Sequence, residues 1–131
     1  MALALTSIPY RTFSGCWSIL RIDIAGHPVY NCIVSYDVQT KQYRKYFAGP
    51  RKLCQECVFI PRGPDVPEGD GWIMMLLNNY ESMCSELAIV DTRDMSSEVA
   101  LVKLPIRLRM GVHGNWVDSA DTDGHPPALQ I

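Results

Sequence analysis

Apolar and polar residues alternate with period two along most of this chain, and turn residues interrupt the alternation at short, regular intervals. Over residues 17–24 one face reads Trp17, Ile19, Arg21, Asp23 and the other Ser18, Leu20, Ile22, Ile24; the run stops at Ala25-Gly26-His27-Pro28, a turn signal. Residues 29–38 are β-branched and aromatic, with Tyr30, Cys32, Val34 and Tyr36 on one face. Residues 37–41 read as a hairpin connection into a strand over 43–48, which Gly49-Pro50 ends. Four further strands are predicted over 57–61, 71–78, 85–91 and 99–104. Pro61, Pro64 and Pro67, with glycines and aspartates between them, exclude a helix from the break over 61–70. Residues 94–98 allow one helical turn, and no segment keeps a helical apolar stripe for three turns. The predicted fold class is therefore all-β, an antiparallel meander of about seven strands. Its last four strands are patterned like the four-stranded units from which propeller blades are built. A single β domain is expected over 1–117, followed by an irregular tail over 118–131 rich in Asp, Gly and Pro.

Composition narrows the function classes. The 131 residues suffice for one domain with a core, and 47% hydrophobic with 20% charged residues is ordinary globular composition. A net charge of −2, with both signs mixed along the chain, offers no basic face for nucleic acid. The longest apolar run, residues 72–77, suits a buried strand and is far short of a membrane span. The first five residues lack the basic region of a signal peptide, and Met1 is expected to be a genuine start. Five scattered cysteines, an odd number, point to reduced thiols and a cytoplasmic location. Cys54-Gln55-Glu56-Cys57 is a CxxC, but a zinc site needs two more ligands and only His113 and His125 follow it, so metal or redox use is the minority reading.

Four stretches carry a resemblance. Glu56-Cys57-Val58-Phe59-Ile60-Pro61-Arg62, Glu68-Gly69-Asp70-Gly71-Trp72, the run from Ser85 to Met95 and the run from Leu104 to Trp116 resemble, in order and near-family spacing, motifs of the carotenoid-cleavage oxygenases. This family includes the retinal pigment epithelial membrane protein and lignostilbene dioxygenases. The resemblance is strong over 56–116 and reduces to strand pattern over 15–50. It implies a truncated, C-terminal part of a seven-bladed β-propeller, equivalent to the last one or two blades. In the family, four histidines bind one ferrous ion on the propeller axis, glutamates orient them, and the iron activates dioxygen against an alkene. The resemblance places His113 at the last ligand position and Glu56 at one of the orienting glutamates, consistent with a ligating imidazole needing its other N–H fixed. Cys57, Arg109 and Val112 stand where the family pattern has proline, proline and phenylalanine.

The chain holds three histidines, His27, His113 and His125, and neither His27 nor His125 sits in a family ligand motif. One protein ligand does not hold ferrous iron. The leading expectation is accordingly a repurposed protein that binds an apolar natural product, an isoprenoid or polyketide, and catalyses a metal-independent cyclisation or rearrangement in secondary metabolism, with no cofactor. His113 and Glu56 are its expected acid and base, and Trp72, Trp116, Tyr80 and Arg107 its expected substrate-binding residues. A second expectation is an iron(II)-dependent dioxygenase module in which His113 is a metal ligand and a partner chain supplies the rest. The third is a non-catalytic interaction or remnant protein. Blades cut from a ring expose strand edges, so the sheet is expected to close as a small barrel or sandwich or by oligomerisation, with a homo-oligomer formed through those edges expected.

Overall fold

A computed structural model of the chain describes residues 12–17, 22–24, 27–111 and 114–122, with only the backbone described before residue 30 and at 119–120. Among these residues nine strands form three antiparallel sheets. Strands β1 (Thr12–Trp17), β4 (Cys32–Asp37) and β5 (Tyr43–Phe47) make a three-stranded sheet in the order β1-β4-β5. Strands β2 (Ile22–Ile24) and β3 (His27–Val29) pair with each other. Strands β6 (Lys52–Pro61), β7 (Gly71–Asn79), β8 (Cys84–Asp91) and β9 (Asp94–Lys103) form a four-stranded meander. The all-β class and the terminal four-stranded unit agree with the expectation from the alternation.

The pattern of β7 explains its place in the middle of the meander. Its apolar run covers both faces: Ile73, Met75 and Leu77 are fully buried on one side, while Trp72, Met74 and Leu76 are half-buried on the other. On the first side they meet Ala88 and Val90 of β8 and Met95 of β9, and this face packs on Ile33 and Tyr46 of the three-stranded sheet. The Tyr46 hydroxyl donates to Glu98 on β9, which joins the two sheets at a polar point inside an apolar contact. Lys52 of β6 and the buried Glu86 of β8 pair at 2.7 Å.

Several boundaries differ from the sequence reading, for physical reasons. Residues 94–98 form no helical turn: only Thr92 and Arg93 separate β8 from β9, and Asp94 pairs directly with Asp91. Local composition favours a turn there, but burial of Met95 under the sheet selects the strand. In β4, Ile33 and Ser35 are buried on one face, with Ile33 paired to Tyr46, while on the face of Cys32, Val34 and Tyr36 only Cys32 is fully buried. Strand β6 starts at Lys52, five residues before the expected position at Cys57. The first strand ends at Trp17, where the alternation over 17–24 was expected to begin it. Beyond β9 the described backbone is irregular apart from a 3-10 turn over Ser119–Thr122.

Gly71 sits where β7 begins, and a Cβ there would lie 2.1 Å from the Ile60 carbonyl oxygen and 2.9 Å from the Phe59 ring. Because the nearest obstacle is backbone, Gly71→Ala is expected to lower unfolding stability by about 1–3 kcal/mol. Leu77→Ala in the buried core is expected to cost about 2–5 kcal/mol. Urea denaturation of both variants checks this; an unchanged midpoint for Gly71→Ala would mean the contact relaxes without cost.

Candidate functional site

The site is built on an irregularity in β6. Cys54 pairs with Leu77 and Cys57 with Met75, so β6 takes three steps where β7 takes two, and one residue is surplus. In a regular strand neighbouring side chains point to opposite faces. Here the bulge re-aims them, and Gln55 and Glu56 reach the same loop. Gln55 Oε1 accepts a hydrogen bond from the Gly111 N–H at 2.8 Å. Glu56 Oε2 accepts one from the Gly114 N–H at 2.9 Å. Val112 and His113, which lie between those glycines in sequence, fall outside the described residues. A Cβ on Gly111 would come 3.3 Å from Gln55 Oε1, so glycine keeps that approach open.

The chain reaches this point from the far end of β8 under the control of one buried serine. Ser85 N–H donates to the Ile106 carbonyl at 3.1 Å, its carbonyl accepts from Leu104 N–H at 2.9 Å, and its hydroxyl accepts from Leu108 N–H at 2.9 Å. The same hydroxyl lies 2.7 Å from Asn78 Oδ1 and donates to it. Neither Ser85 nor Gln55 was among the residues expected from the sequence. Ser85 opens one of the family-like motifs, and Gln55 sits in an apolar-polar-polar-apolar interval that breaks period two; those were the available signals.

Beneath the loop, on the half-buried face of the meander, lies a groove of about 290 Å³. Val58, Met74, Leu76 and Leu87 form its apolar floor, and Glu56 and Asn115 stand at its polar rim. Such a surface suits an elongated apolar ligand, with one carboxylate beside it.

The other expected site residues are dispersed. Trp72 lies at the opposite end of β7 from Tyr80, with the Arg62 guanidinium 4.4 Å from its ring centroid. Arg62 also binds Asp70 at 3.1 Å and Asp91 at 2.7 Å, and Arg93 binds Asp70 at 2.7 Å. Trp72 is thus one face of an ionic cluster that ties the β6–β7 connection to the β8–β9 turn, and it does not line the groove. Tyr80 follows β7 and carries Arg107 4.7 Å above its ring, while Arg107 also contacts Met83 Sδ at 3.9 Å. Those two expected substrate residues meet each other, away from the groove floor. Trp116 follows the glycine pair in the loop; it is 41% exposed and donates its indole N–H to Asp118 at 3.0 Å. Of the expected set, Glu56 lines the groove. His27 is the first residue of β3, and His125 lies outside the described residues.

Among the described residues no group of three or more His, Cys, Asp or Glu side chains is placed to hold a metal ion. Burial, followed by the neighbouring Cys32 and Cys57, pushes the Cys54 thiol up to about 12, which disfavours the thiolate that metal binding and disulfide exchange require. With three histidines in its sequence, the chain by itself does not fit a four-histidine centre.

Comparison with known proteins places this arrangement. The sequence profile of the family described as retinal pigment epithelial membrane protein matches residues 7–118. Carotenoid cleavage oxygenase 1 of Neurospora crassa is 56% identical over 104 residues, covering 79% of this chain and 20% of that protein. Resveratrol cleavage oxygenase 1 of Aspergillus fumigatus is 49% identical over 105 residues, covering 80% of this chain and 21% of that protein. The crystal structure of Pseudomonas brassicacearum lignostilbene dioxygenase superposes with a TM-score of 0.74 at 31% identity, over 82% of this chain and 24% of that one. The structural neighbours are β-propeller oxygenases, and the chain spans about a fifth of the length of the curated relatives it matches. Among the described residues no helix is long and apolar enough to cross a membrane.

The ionic cluster around Trp72 has a definite pH signature. The Arg93 and Arg62 guanidinium groups hold the Asp70 carboxyl below the usual carboxylate range, and the Arg93 backbone N–H with Arg62 does the same for Asp91. A carboxyl depressed in the folded state stabilises it above the ordinary carboxylate value of about 4 and loses that contribution as pH falls through the depressed one. Thermal midpoints measured from pH 6 to pH 2 are expected to fall more steeply for the parent protein than for Arg62→Met; parallel curves would show the cluster to be neutral.

Proposed function

The chain belongs to the retinal pigment epithelial membrane protein family of oxygenases, and from that premise we propose that it forms the part of an iron(II)-dependent, alkene-cleaving oxygenase that presents His113 beside an apolar substrate groove. The observation that carries this reading is the pair of hydrogen bonds that the Gly111 and Gly114 amides donate to Gln55 and Glu56, which hold both flanks of the His113 motif above the floor of Val58, Met74, Leu76 and Leu87. Attachment at both flanks is what a ligand-bearing segment needs, since metal affinity depends on the ligand being held in place. The floor offers dispersion contacts without hydrogen-bond donors, matching a conjugated hydrocarbon or stilbene more closely than a polar metabolite.

The remaining metal ligands come, in this reading, from propeller segments outside these 131 residues, in the same polypeptide or in another. Iron, when bound, would supply the activation of dioxygen. The chain's own share is to hold the His113 segment, to desolvate the alkene against the groove floor and to place the Glu56 carboxylate at its rim. The metal-independent cyclisation expected from the short length has less support, because the relatives named above are cleavage oxygenases. Substrate-binding roles for Trp72, Tyr80, Trp116 and Arg107 likewise rest on the sequence and not on proximity to the groove.

Two preparations test the proposal. The 131-residue chain alone is expected to bind well under one equivalent of iron and to leave resveratrol intact. The same segment exchanged for its counterpart in the Neurospora crassa relative is expected to give a protein with about one iron that cleaves resveratrol or an apocarotenoid, and His113→Ala in that protein should lower iron content and turnover by more than the roughly 10- to 100-fold that losing an outer partner of a metal ligand costs. Stoichiometric iron on the isolated chain, or full activity after His113→Ala, overturns it.

A further inference from the structure

Strand β9 closes one side of the four-stranded sheet, and among the described residues no strand pairs with its outer edge. The other side of that sheet is occupied, since the Cys54 N–H of β6 donates to the Tyr30 carbonyl at 2.6 Å. The second half of β9 is both apolar and exposed, with Val99 at 59%, Leu101 at 36% and Val102 at 49%. Unpaired backbone groups beside such side chains are a template for another strand. The ladder to β8 shows what that strand would meet. Leu101 stands opposite Ala88, Ala100 opposite Ile89 and Glu98 opposite Val90, so Val99 is surplus in β9. Lys103 stands opposite Glu86. Residues opposite one another share a face, and Glu86, Ala88 and Val90 are all buried, so Lys103, Leu101 and Glu98 share the core-side face. Five residues apart on a regular strand, the two charges would face opposite sides; the surplus residue brings both to one side, two ladder places either way from Leu101.

We propose that β9 is a self-pairing edge, through which two copies of this chain join their four-stranded sheets into one antiparallel sheet about a two-fold axis at Leu101. In that register Glu98 lies opposite the partner's Lys103, and Lys103 opposite the partner's Glu98. Ala100 faces the partner's Val102 on the other side of the sheet, and Leu101 meets the partner's Leu101 on the axis. Such an interface is isologous, with each contact made twice. The outer edge of β5 lacks this complementarity: Tyr43-Arg44-Lys45-Tyr46-Phe47 carries two cations and no acid, and pairing about its centre sets Lys45 against itself. The proposal does not depend on the oxygenase reading.

Sedimentation equilibrium of the 131-residue chain, from about 1 μM to about 500 μM, tests this. One strand edge makes a small interface, so a reversible monomer–dimer equilibrium with a Kd of about 10–100 μM is expected. Lys103→Glu sets acid against acid in both pairs and should weaken association roughly tenfold. Glu98→Lys should do the same with cations. An equimolar mixture of the two variants restores opposite charges in both pairs and should dimerise like the parent. Glu98 also accepts from the Tyr46 hydroxyl, so where Glu98→Lys does not fold, amide exchange carries the test. Protection of β9 amides should rise with concentration in the parent and not in Lys103→Glu, with β5 amides unchanged. A parent monomeric at the highest concentration, a dimer indifferent to Lys103→Glu, a mixture that stays monomeric, or protection gained in β5 in place of β9 overturns the proposal.

Discussion

One surplus residue in a ladder of hydrogen bonds decides how the loop after β9 is held against this sheet. Strand β7 is bound on both edges and buries Ile73, Met75 and Leu77 on one face, so its register is fixed against its neighbour. Strand β6 must therefore absorb the mismatch between Cys54 and Cys57 within itself. The surplus residue has a use: side chains that would have faced opposite ways become acceptors for backbone donors of the returning loop. Those loop amides would otherwise need water at the margin of an apolar groove, where a missing partner is expensive. Ser85 plays the matching part upstream, taking the chain off the end of β9 through the backbone of residues 104, 106 and 108. Between Ser85 and the bulge, the segment that carries His113 is attached at both ends of its path.

The polar anchors and the apolar floor are kept apart. At one end of β7 the Trp72 ring is occupied by Arg62, and just past the other end Tyr80 is occupied by Arg107. The groove between is walled by aliphatic and thioether side chains, Val58, Met74, Leu76 and Leu87. Aromatic rings held by guanidinium groups are rigid fittings of the turns, whereas methionine adapts to the outline of whatever lies against it. Trp72 and Tyr80 pack against guanidinium groups near the two ends of β7, and the groove lining is aliphatic and thioether.

Much of the meander was legible in the sequence. Residues 71–78 and 85–91 announce strands by apolar content and length, and the four family-like motifs mark the segment that folds as β6 to β9. What escaped depended on pairing. Residues 94–98 look like a turn of helix because Ser, Asp and Glu suit one, and only the burial of Met95 decides otherwise. Ile33 and not Val34 faces the core because Ile33 and its cross-strand partner Tyr46 turn toward the four-stranded sheet, where Ile73, Met75 and Leu77 lie. Period two read across a bulge is wrong on one side of it, which is why β6 was expected to start at Cys57 and why Gln55 attracted no notice. Glu56 was legible through its motif, whereas Gln55 became visible only with the register.

The bulge also has a meaning when counted in codons. Removing one residue at position 55 or 56 would bring Cys54 and Cys57 to alternate positions on a regular ladder, opposite Leu77 and Met75, with the buried face of β6 unaltered. What the deletion would take away is the arrangement in which two adjacent side chains accept from the Gly111 and Gly114 amides.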